Sequence, residues 1–380
     1  MSQPKITTEQ LKAELSAGMK PTQIAKKYDV NVRRIQERKA ALAKAGFSPE
    51  HDMVHTVPDG FKVGGVSTYY NKDGQPTAQW VKSSIDAQRQ FELMQEAVKA
   101  MSEDLPRVKE SPKPILANEN LLDLYVITDY HLGMLAWNQE SGDDWDVSIA
   151  EDLLLKWFRA AIASAPGSKI GILANLGDFL HWDGLDAVTP SSGHVLDADT
   201  RFQKLVRVAI RVIRQIIDML LAKHEHLHVI MAEGNHDMAS SIWLREWLSA
   251  IYENEPRITV DCNPDPYYCY EFGNTSLFFH HGHKSKQASL DSVLVAKYRD
   301  VFGRTKHSYA HCGHLHHVKA LETSLMVVEQ HRTLAAKDAY ASRGGWMSGR
   351  DAKVITYHKE HGKVSELTIS PSMVEWGAYG

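Results

Sequence analysis

The sequence has few of the features that mark membrane or disulfide-stabilised proteins. Its 380 residues include only three cysteines, Cys262, Cys269 and Cys312, and none are in a CxxC pair. An odd number of scattered cysteines predicts reduced thiols. No apolar run approaches the ~20 residues that a membrane-spanning helix needs, and none follows the polar N-terminus. We therefore expect a cytoplasmic protein with no membrane partner and with two or three domains.

Charge is distributed unevenly along the chain. The net charge is -4, yet residues 1–46 hold ten Lys or Arg and only four Asp or Glu, so this segment is +6 and the remainder is -10. A basic segment suits a polyanionic partner, whereas an acidic body suits a site that concentrates cations.

Residues 1–46 read as a small all-α domain of three helices. Pro21 opens the second helix and Asn31 caps the third. The apolar positions and the turn Asp29-Val30-Asn31 resemble the helix-turn-helix family, which implies DNA binding through the third helix. A three-helix unit used only for docking is the alternative. The basic side chains that the third helix would present to DNA are Arg33, Arg34, Arg38 and Lys39.

Residues 47–113 read as a connector. Extended segments at 61–70 and 78–85 flank Asn71-Lys72-Asp73-Gly74, and Asp-Gly in this position predicts a β-hairpin. A helix is expected at about 84–101. Its apolar stripe either pairs two subunits, which would give a homodimer, or packs on its own domain. The residues of that stripe are Phe91, Met94, Val98 and Met101.

Residues 114–380 alternate apolar strand patterns with helical patterns, which predicts an α/β domain. We expect two stacked mixed β-sheets flanked by helices, a four-layer sandwich. The longest helix is expected at about 197–221, another at about 240–252, and a hairpin at about 359–362.

Five apolar segments of this domain lead into metal-ligand side chains. A carboxylate at the carboxyl end of a buried strand faces the crevice where α/β sheets bind ligands. Alternate residues of an extended chain point the same way, so Asp129 and His131 can bind one ion together. One such segment alone could be an ordinary turn, but five are hard to reach by chance. They are Asp129-Tyr130-His131, Gly177-Asp178-Phe179-Leu180-His181, Gly234-Asn235-His236-Asp237, His280-His281-Gly282-His283 and His311-Cys312-Gly313-His314-Leu315-His316.

In this order, the five segments resemble the motifs of the calcineurin-like metallophosphoesterases, over about residues 121–320. The resemblance implies a site for two divalent metal ions. His281 is preferred over His280 and His283 because the family's ligand directly precedes glycine. The ligands so implied are Asp129, His131 and His316 for one ion, Asn235, His281 and His314 for the other, and Asp178 as the bridge.

The physical chemistry of such a site agrees with the resemblance. Two neighbouring cations lower the pKa of a bridging water and clamp the oxygens of an in-line displacement, so that hydroxide attacks phosphorus. Carboxylate, amide and imidazole ligands without thiolate suit Mn²⁺ and tolerate Fe, Zn, Ni or Mg. We assign His236 to transition-state stabilisation and protonation of the leaving oxygen. His181 and Asp237 complete the catalytic set as orienting residues.

His181 bears on the substrate. The phosphoprotein phosphatases of this family have aspartate at the equivalent position, whereas the branch with histidine includes the SbcD-type repair nucleases, which this chain resembles more closely. Together with the basic N-terminal segment, this resemblance predicts a phosphodiesterase that acts as a DNA nuclease. No long capping domain is recognised after His316, so endonuclease and exonuclease action both remain open.

The loop at 342–350 is expected to contact the substrate. It has glycines for mobility, arginines for phosphate and a tryptophan on which a base can stack, although an ordinary surface loop is the alternative. The residues concerned are Arg343, Trp346 and Arg350.

Two other functions compete with the nuclease. One is a nucleotide phosphodiesterase or phosphatase in which the N-terminal segment is regulatory. The second is a DNA-binding regulator whose metal domain is not catalytic.

Overall fold

The computed structural model describes residues 5–53, 57, 61–86, 88, 89, 92, 114, 117–190, 192–345 and 347–375. The chain divides into two compact units, Met1–Glu103 and Asp104–Gly380. The first unit contains both the basic segment and the hairpin that follows it. The expected apolar stripe of Phe91, Met94, Val98 and Met101 lies outside the described residues, as does Trp346.

Three helices open the first unit, as the sequence predicts. They are α1 (Thr8–Ser16), α2 (Pro21–Lys27) and α3 (Val32–Lys44). The Thr7 hydroxyl accepts a hydrogen bond from the Gln10 backbone N–H (3.2 Å) and caps α1, while the Asn31 side chain accepts one from the Arg33 N–H (2.8 Å) and caps α3. The helices enclose a small core of Ile6, Leu11, Ile24, Ala25 and Ile35.

An antiparallel hairpin follows in the same unit, as predicted. Its strands are β1 (Phe61–Tyr70) and β2 (Pro76–Ile85). Gly74 has a φ of 73° in the connecting turn, a left-handed conformation that glycine adopts without steric cost.

The second unit contains two stacked β-sheets. In chain order its strands are β3 (Asn118–Ile127), β4 (Ser168–Asn175), β5 (His226–Met231), β6 (Ile258–Val260), β7 (Tyr268–Phe272), β8 (Thr275–Phe279), β9 (His307–Cys312), β10 (Lys319–Glu322), β11 (Val327–Gln330), β12 (Ala352–His358) and β13 (Gly362–Ile369). One sheet has the order β13-β12-β3-β4-β5-β6, with β3 to β6 parallel. The other has the order β10-β11-β9-β8-β7, with β8, β9 and β11 parallel.

The described part of the second unit also contains eight helices. They are α4 (Asn138–Ser141), α5 (Val147–Ser164), α6 (Phe202–Lys223), α7 (Met238–Ile251), α8 (Gln287–Lys297), α9 (Arg299–Arg304), α10 (Ala339–Arg343) and α11 (Pro371–Glu375). The Phe158 ring of α5 packs 6.1 Å from the Tyr125 ring of β3, and Leu290 and Leu294 of α8 pack with Phe278 and Ala310 of the second sheet. None of the helices described here is long and apolar enough to cross a membrane.

Apolar side chains from both sheets meet in the middle of the unit. Leu124, Ile172, Leu277, Phe279 and Ile355 belong to this inter-sheet core. The order of layers is therefore helix, sheet, sheet, helix, and the predicted α/β four-layer sandwich of mixed sheets is confirmed.

The longest helix begins later than the expected residue 197, at Phe202. Residues 197–199 are held in an extended pairing with the chain that follows the first predicted ligand segment. Leu135 N–H donates to the Asp197 carbonyl and Asp199 N–H to the Gly133 carbonyl, each at 2.9 Å. Because these backbone groups are already paired across the chain, the helix starts only after them.

Candidate metal centre

The five predicted ligand segments follow β3, β4, β5, β8 and β9 and come together at one edge of the two sheets. Backbone hydrogen bonds join them directly. Asp129 N–H donates to the Gly177 carbonyl (3.0 Å), and Gly313 N–H donates to the His281 carbonyl (2.8 Å). Parallel strands end at the same edge of a sheet, which brings the ligand segments close together. The backbone hydrogen bonds then fix these segments to each other.

Most of the predicted ligands have a strained backbone. The φ angles of Asp129, His131, Asp178, His314 and His316 lie between 47° and 73°. The left-handed region costs a residue other than glycine roughly 1–3 kcal/mol and is found mainly at functional sites. The extended conformation that we expected for Asp129 to His131 is therefore wrong. The chain turns sharply there, and the turn brings both side chains into one site.

Glycines allow the carboxylates to pack directly on the backbone. A Cβ at Gly313 would lie 1.9 Å from Thr128 Oγ1 and 2.5 Å from Asp129 Oδ2. A Cβ at Gly234 would lie 2.0 Å from Asp178 Oδ1. No real Cβ tolerates such distances, so both positions require glycine for close approach.

Asp129, His131 and His316 form a first group, with ligand atoms that all lie within 4.8 Å of one another. His316 Nε2 is 3.1 Å from Asp129 Oδ1 and 3.4 Å from His131 Nε2. The other carboxylate oxygen, Oδ2, already accepts hydrogen bonds from the Thr128 hydroxyl and the His314 N–H. Oδ1 is buried and faces His316 Nε2, but the described residues offer it no hydrogen bond of good geometry, which leaves it available to a cation.

Asp129, Asp178, His281 and His314 form a second group of converging ligand atoms. His281 Nε2 lies 3.2 Å from Asp178 Oδ2 and 3.2 Å from Asn235 Oδ1. The other ring nitrogen, Nδ1, is 2.9 Å from the Leu176 carbonyl oxygen. Because a carbonyl only accepts, Nδ1 carries a proton, so Nε2 is the nitrogen that faces the oxygen ligands and can bind a cation once it has lost its own proton.

His280 and His283 lie next to this group but outside it. The His280 ring stacks on Tyr267 with centroids 4.3 Å apart, and its Nδ1 accepts the Gly282 N–H at 2.9 Å. The His283 ring centroid is 5.2 Å from that of His281. Among the described residues, neither belongs to a group of converging ligand atoms. The structure therefore brings together all seven predicted ligands, with His281 as the histidine of this segment.

The electrostatics of the site favour positive charge. Burial alone lowers the pKa of His281, but Asp178 and Asp129 outweigh it and raise that pKa to about 9. Burial raises the pKa of Asp129, yet His316 and His281 hold it well below its usual range. In the metal-free protein, protonated imidazole rings therefore balance the negative charge of the carboxylates, a role that bound cations would take over. The donor set and the unpartnered Oδ1 fit divalent metal ions.

His236 lies beside the ligands and is not a member of either of the two ligand groups described above. Its ring centroid is 4.7 Å from that of His131, and its Nδ1 is 2.8 Å from the His181 carbonyl oxygen. His181 Nδ1 lies 3.3 Å from His131 Nδ1. Burial and the neighbouring His236 lower the pKa of His181 to about 3, so the His181 ring is neutral at physiological pH.

Asp237 points away from the ligand atoms and towards the backbone. Its carboxylate accepts N–H groups from Asp178 (3.2 Å), Phe179 (2.7 Å), Leu180 (3.1 Å) and Gly234 (3.2 Å). It thereby ties the second and third ligand segments together. Asp237 is completely buried, and its hydrogen bonds go to the backbone of these two segments.

A cavity of about 830 Å³ opens over the ligands. The ligands line one side of this cavity, and residues between 333 and 350 line another. Arg350 lines it, but its Nη1 is 3.2 Å from Asp143 Oδ2 and its guanidinium carbon lies 5.4 Å above the Trp145 ring. Arg343 pairs with Glu140 at 2.6 Å and is not among the residues lining the cavity. Trp346 lies outside the described residues.

Several supporting residues escaped the sequence analysis. The Thr333 hydroxyl donates to the Asp129 carbonyl at 2.6 Å, and the Asp183 carboxylate accepts the N–H groups of Ala239 and Ser240 at the start of α7. Lys337 lines the cavity and forms no ion pair with another described residue. Asp183 lies in the loop at 182–199, which from its length and polar residues is expected to border the site, and no local signal marks Thr333 or Lys337.

A separate group of converging side chains, His311, Glu329 and His331, lies in the interior of the second unit. His311 hydrogen-bonds to His331 at 2.9 Å and to the Tyr357 hydroxyl at 2.8 Å. Glu329 pairs with the Lys353 ammonium at 2.5 Å. Since Lys353 already neutralises the carboxylate, this group is a buried polar network. Cys312, the next residue along β9, is buried, which raises the pKa of its thiol to about 12.

The four basic residues expected to meet DNA differ in their surroundings. Arg33 and Arg34 are exposed, and Arg33 has only a solvent-accessible ion pair with Glu37. Arg38 donates to the Ile6 carbonyl at 2.9 Å, and Lys39 pairs with Glu50 at 2.7 Å. The last two side chains therefore support the three-helix unit itself.

Comparisons with known proteins give likeness to solved structures alone. No family model matches the chain, and no curated protein matches it. A predicted phosphoesterase from Streptococcus pneumoniae is 12% identical, covering 66% of this chain and 100% of its own, with a TM-score of 0.28. An archaeal phosphodiesterase is 14% identical, covering 65% and 99%, with a TM-score of 0.34. The zinc complex of Vps29 from Entamoeba histolytica is 11% identical, covering 66% and 99%, with a TM-score of 0.28.

Replacing Gly313 should disrupt the metal site. In Gly313→Ala the new methyl group would displace Thr128 or Asp129, because it lies 1.9 Å and 2.5 Å from their oxygens. We expect Mn²⁺ affinity, measured by isothermal titration calorimetry, to fall about 10–100-fold. Gly303→Ala is the control, since its Cβ would meet nothing within 4 Å in α9. Unchanged Mn²⁺ binding by Gly313→Ala would show that close packing on Asp129 is unnecessary.

Metal binding should release protons. Since the pKa of His281 is raised to about 9, its ring is protonated in the metal-free protein at neutral pH and must lose that proton to bind a cation. Apparent Mn²⁺ affinity should therefore rise up to about tenfold per pH unit from about pH 6.5 to 8.5. Calorimetry in two buffers of different ionisation enthalpy measures the released protons. A flat affinity with no proton release would contradict this electrostatic description.

Proposed function

We propose that the protein is a calcineurin-like metallophosphoesterase that hydrolyses phosphodiesters with two divalent metal ions and acts as a DNA nuclease. The carrying observation is the convergence of seven ligands beneath a cavity of about 830 Å³. Asp129, His131 and His316 would hold one ion, and Asn235, His281 and His314 the other, with Asp178 between them. Mn²⁺ suits this set best, since it binds carboxylate, amide and imidazole ligands.

The metal ions would supply Lewis acidity and an activated water for displacement at phosphorus. The proton for the leaving oxygen would come from His236. The His236 Nδ1–H donates to the His181 carbonyl, which leaves Nε2 as the nitrogen that exchanges a proton with the substrate. In its cationic form, the ring can both balance the charge of the transition state and protonate the leaving oxygen.

The cavity offers features suited to an anionic diester. Lys337 is a cation at its wall without an ion pair among the described residues, whereas the charge of Arg350 is shared with Asp143. His181 is neutral, so it adds no negative charge beside the substrate, as an aspartate would. These features support a substrate with more than one phosphate charge, such as a nucleic acid strand.

The three-helix unit supports DNA as the partner. Arg33 and Arg34 lie exposed at the start of α3, where a helix-turn-helix protein presents its recognition helix to the major groove. The unit would bring duplex DNA to the hydrolase. Because Arg38 and Lys39 are engaged within the unit, we assign the duplex contact mainly to the first two arginines.

One observation favours a second candidate, a nucleotide phosphodiesterase or phosphatase. The ligands line a cavity whose volume of about 830 Å³ is within the usual range for small-molecule sites. In that case the basic unit would regulate the enzyme or its location.

His236→Ala should remove hydrolysis and spare metal binding. We expect cleavage of labelled DNA and of bis(4-nitrophenyl) phosphate with Mn²⁺ to fall about 10²–10⁴-fold, because a general acid is lost. EDTA should abolish both reactions of the unaltered protein. His361→Ala, at an exposed turn, is the control.

The outcomes separate the candidate functions. Hydrolysis of nucleotide esters without cleavage of single- or double-stranded DNA would support the second candidate. A His236→Ala variant that cleaves at the original rate would refute the role given to His236. No hydrolysis of any phosphoester by the unaltered protein would support a DNA-binding regulator.

Substituting Arg33 and Arg34 together should weaken duplex binding. Each arginine that contacts a phosphate contributes about 0.9 to the salt slope, so Arg33→Ala with Arg34→Ala should reduce it by up to about 2. Fluorescence anisotropy with a labelled duplex in EDTA measures the slope. Lys306→Ala, exposed on the second unit, is the control, and hydrolysis of bis(4-nitrophenyl) phosphate should be unchanged. An unaltered slope would exclude this end of α3 as the DNA contact.

A further inference from the structure

The hairpin of β1 and β2 has two chemically different faces. Ser67 pairs with Trp80, and Tyr69 pairs with Ala78. Further along the ribbon, Gly65 pairs with Lys82 and Lys62 pairs with Ser84. A bulge at Gly64 keeps Lys62 on the same face as Lys82. Paired residues and their neighbours two positions along share one face of the ribbon. One face, called here the aromatic face, therefore contains Lys62, Gly65, Ser67, Tyr69, Ala78, Trp80, Lys82 and Ser84.

The opposite face packs against its own unit. Val66, Thr68, Gln79 and Val81 are half-buried. The Gln79 side-chain amide donates to the Asp52 carbonyl at 2.7 Å and to Thr68 Oγ1 at 3.0 Å. This packing fixes the register of the ribbon and directs the aromatic face to solvent.

The aromatic face exposes large rings that a soluble ribbon normally buries. The exposed fraction is 65% for Tyr69 and 62% for Trp80. The two residues are diagonal neighbours across the strands and lie on the same face of the ribbon. Exposed aromatic patches of this kind mark binding surfaces.

The charge on the aromatic face has one sign. Lys62 and Lys82 are exposed, and neither forms an ion pair with another described residue. The face contains no acidic side chain among its eight residues. Tyrosine and tryptophan rings beside lysines combine base stacking with attraction for phosphate, the two elements that sequence-tolerant binding of single strands needs.

We propose that the aromatic face of the β1–β2 hairpin binds single-stranded nucleic acid, with Tyr69 and Trp80 stacking on bases and Lys62 and Lys82 contacting phosphates. A duplex is excluded as the preferred ligand because its bases are stacked on each other and leave no free face for the rings. This site is independent of the metal centre, and binding does not require hydrolysis.

The proposal is tested on the full chain in EDTA, with fluorescence anisotropy of a labelled oligo(dT). Tyr69→Thr and Trp80→Thr keep good strand formers in place. Each should weaken binding about tenfold, whereas Trp80→Phe should retain most of it. Lys82→Gln should lower the salt slope by about 0.7. Trp137→Ala is the control, because Trp137 is an exposed tryptophan, at 59%, of the second unit.

Three further measurements distinguish the outcomes. Binding of a duplex of equal length should change less than twofold in the Thr variants. Sedimentation should show the same mass for Trp80→Thr and the unaltered protein; a change from dimer to monomer with unchanged oligo(dT) affinity would assign the face to a second copy of the chain and overturn the proposal. Absence of bis(4-nitrophenyl) phosphate hydrolysis by the unaltered protein with Mn²⁺ would refute the proposed enzyme function and leave this inference standing.

Discussion

The structure of the second unit depends on how it accommodates buried negative charge. Asp129, Asp178 and Asp237 are each at most 2% exposed. They lie in the same site, where the Asp178 N–H donates to the Asp237 carboxylate. Burying an ionised carboxylate costs several kcal/mol unless opposite charge or hydrogen bonds compensate it. Asp237 accepts four backbone N–H groups, yet burial and the neighbouring Asp178 and Asp183 raise its pKa to about 8, so it is held largely protonated; Asp129 and Asp178 face imidazoles. The site is thus complete only with protons or cations between its side chains.

Holding the ligand residues in these positions lowers the free energy of unfolding. Five ligand residues adopt left-handed conformations, and the surrounding fold must supply the free energy to keep them there. It does so with backbone bonds between ligand segments, with the Thr333 hydroxyl on the Asp129 carbonyl, and with Asp237 across two segments. The rigid sheets beneath give these bonds fixed positions, which is what a metal site with defined geometry requires.

Much of this could be predicted because the signals are local. Asn31 caps the helix that it precedes, and apolar runs place Asp129, Asp178 and Asn235 at strand ends. Long-range pairings could not be predicted. Thr333 meets Asp129 across the fold, Arg38 and Lys39 bond inside their own unit, and the residue pairing at 197–199 delays α6. The extended backbone expected at Asp129 also failed, because tertiary bonds outweigh local conformational preference.

The buried Cys312 lies between a core histidine and the ligand segment of His314. Since its pKa is raised to about 12, it remains a thiol and not a thiolate throughout the cellular pH range. Thiols in this state are poor nucleophiles and poor ligands. Buried in this state, the sulfur is shielded from peroxide and from thiol-modifying reagents, which act on accessible thiolates.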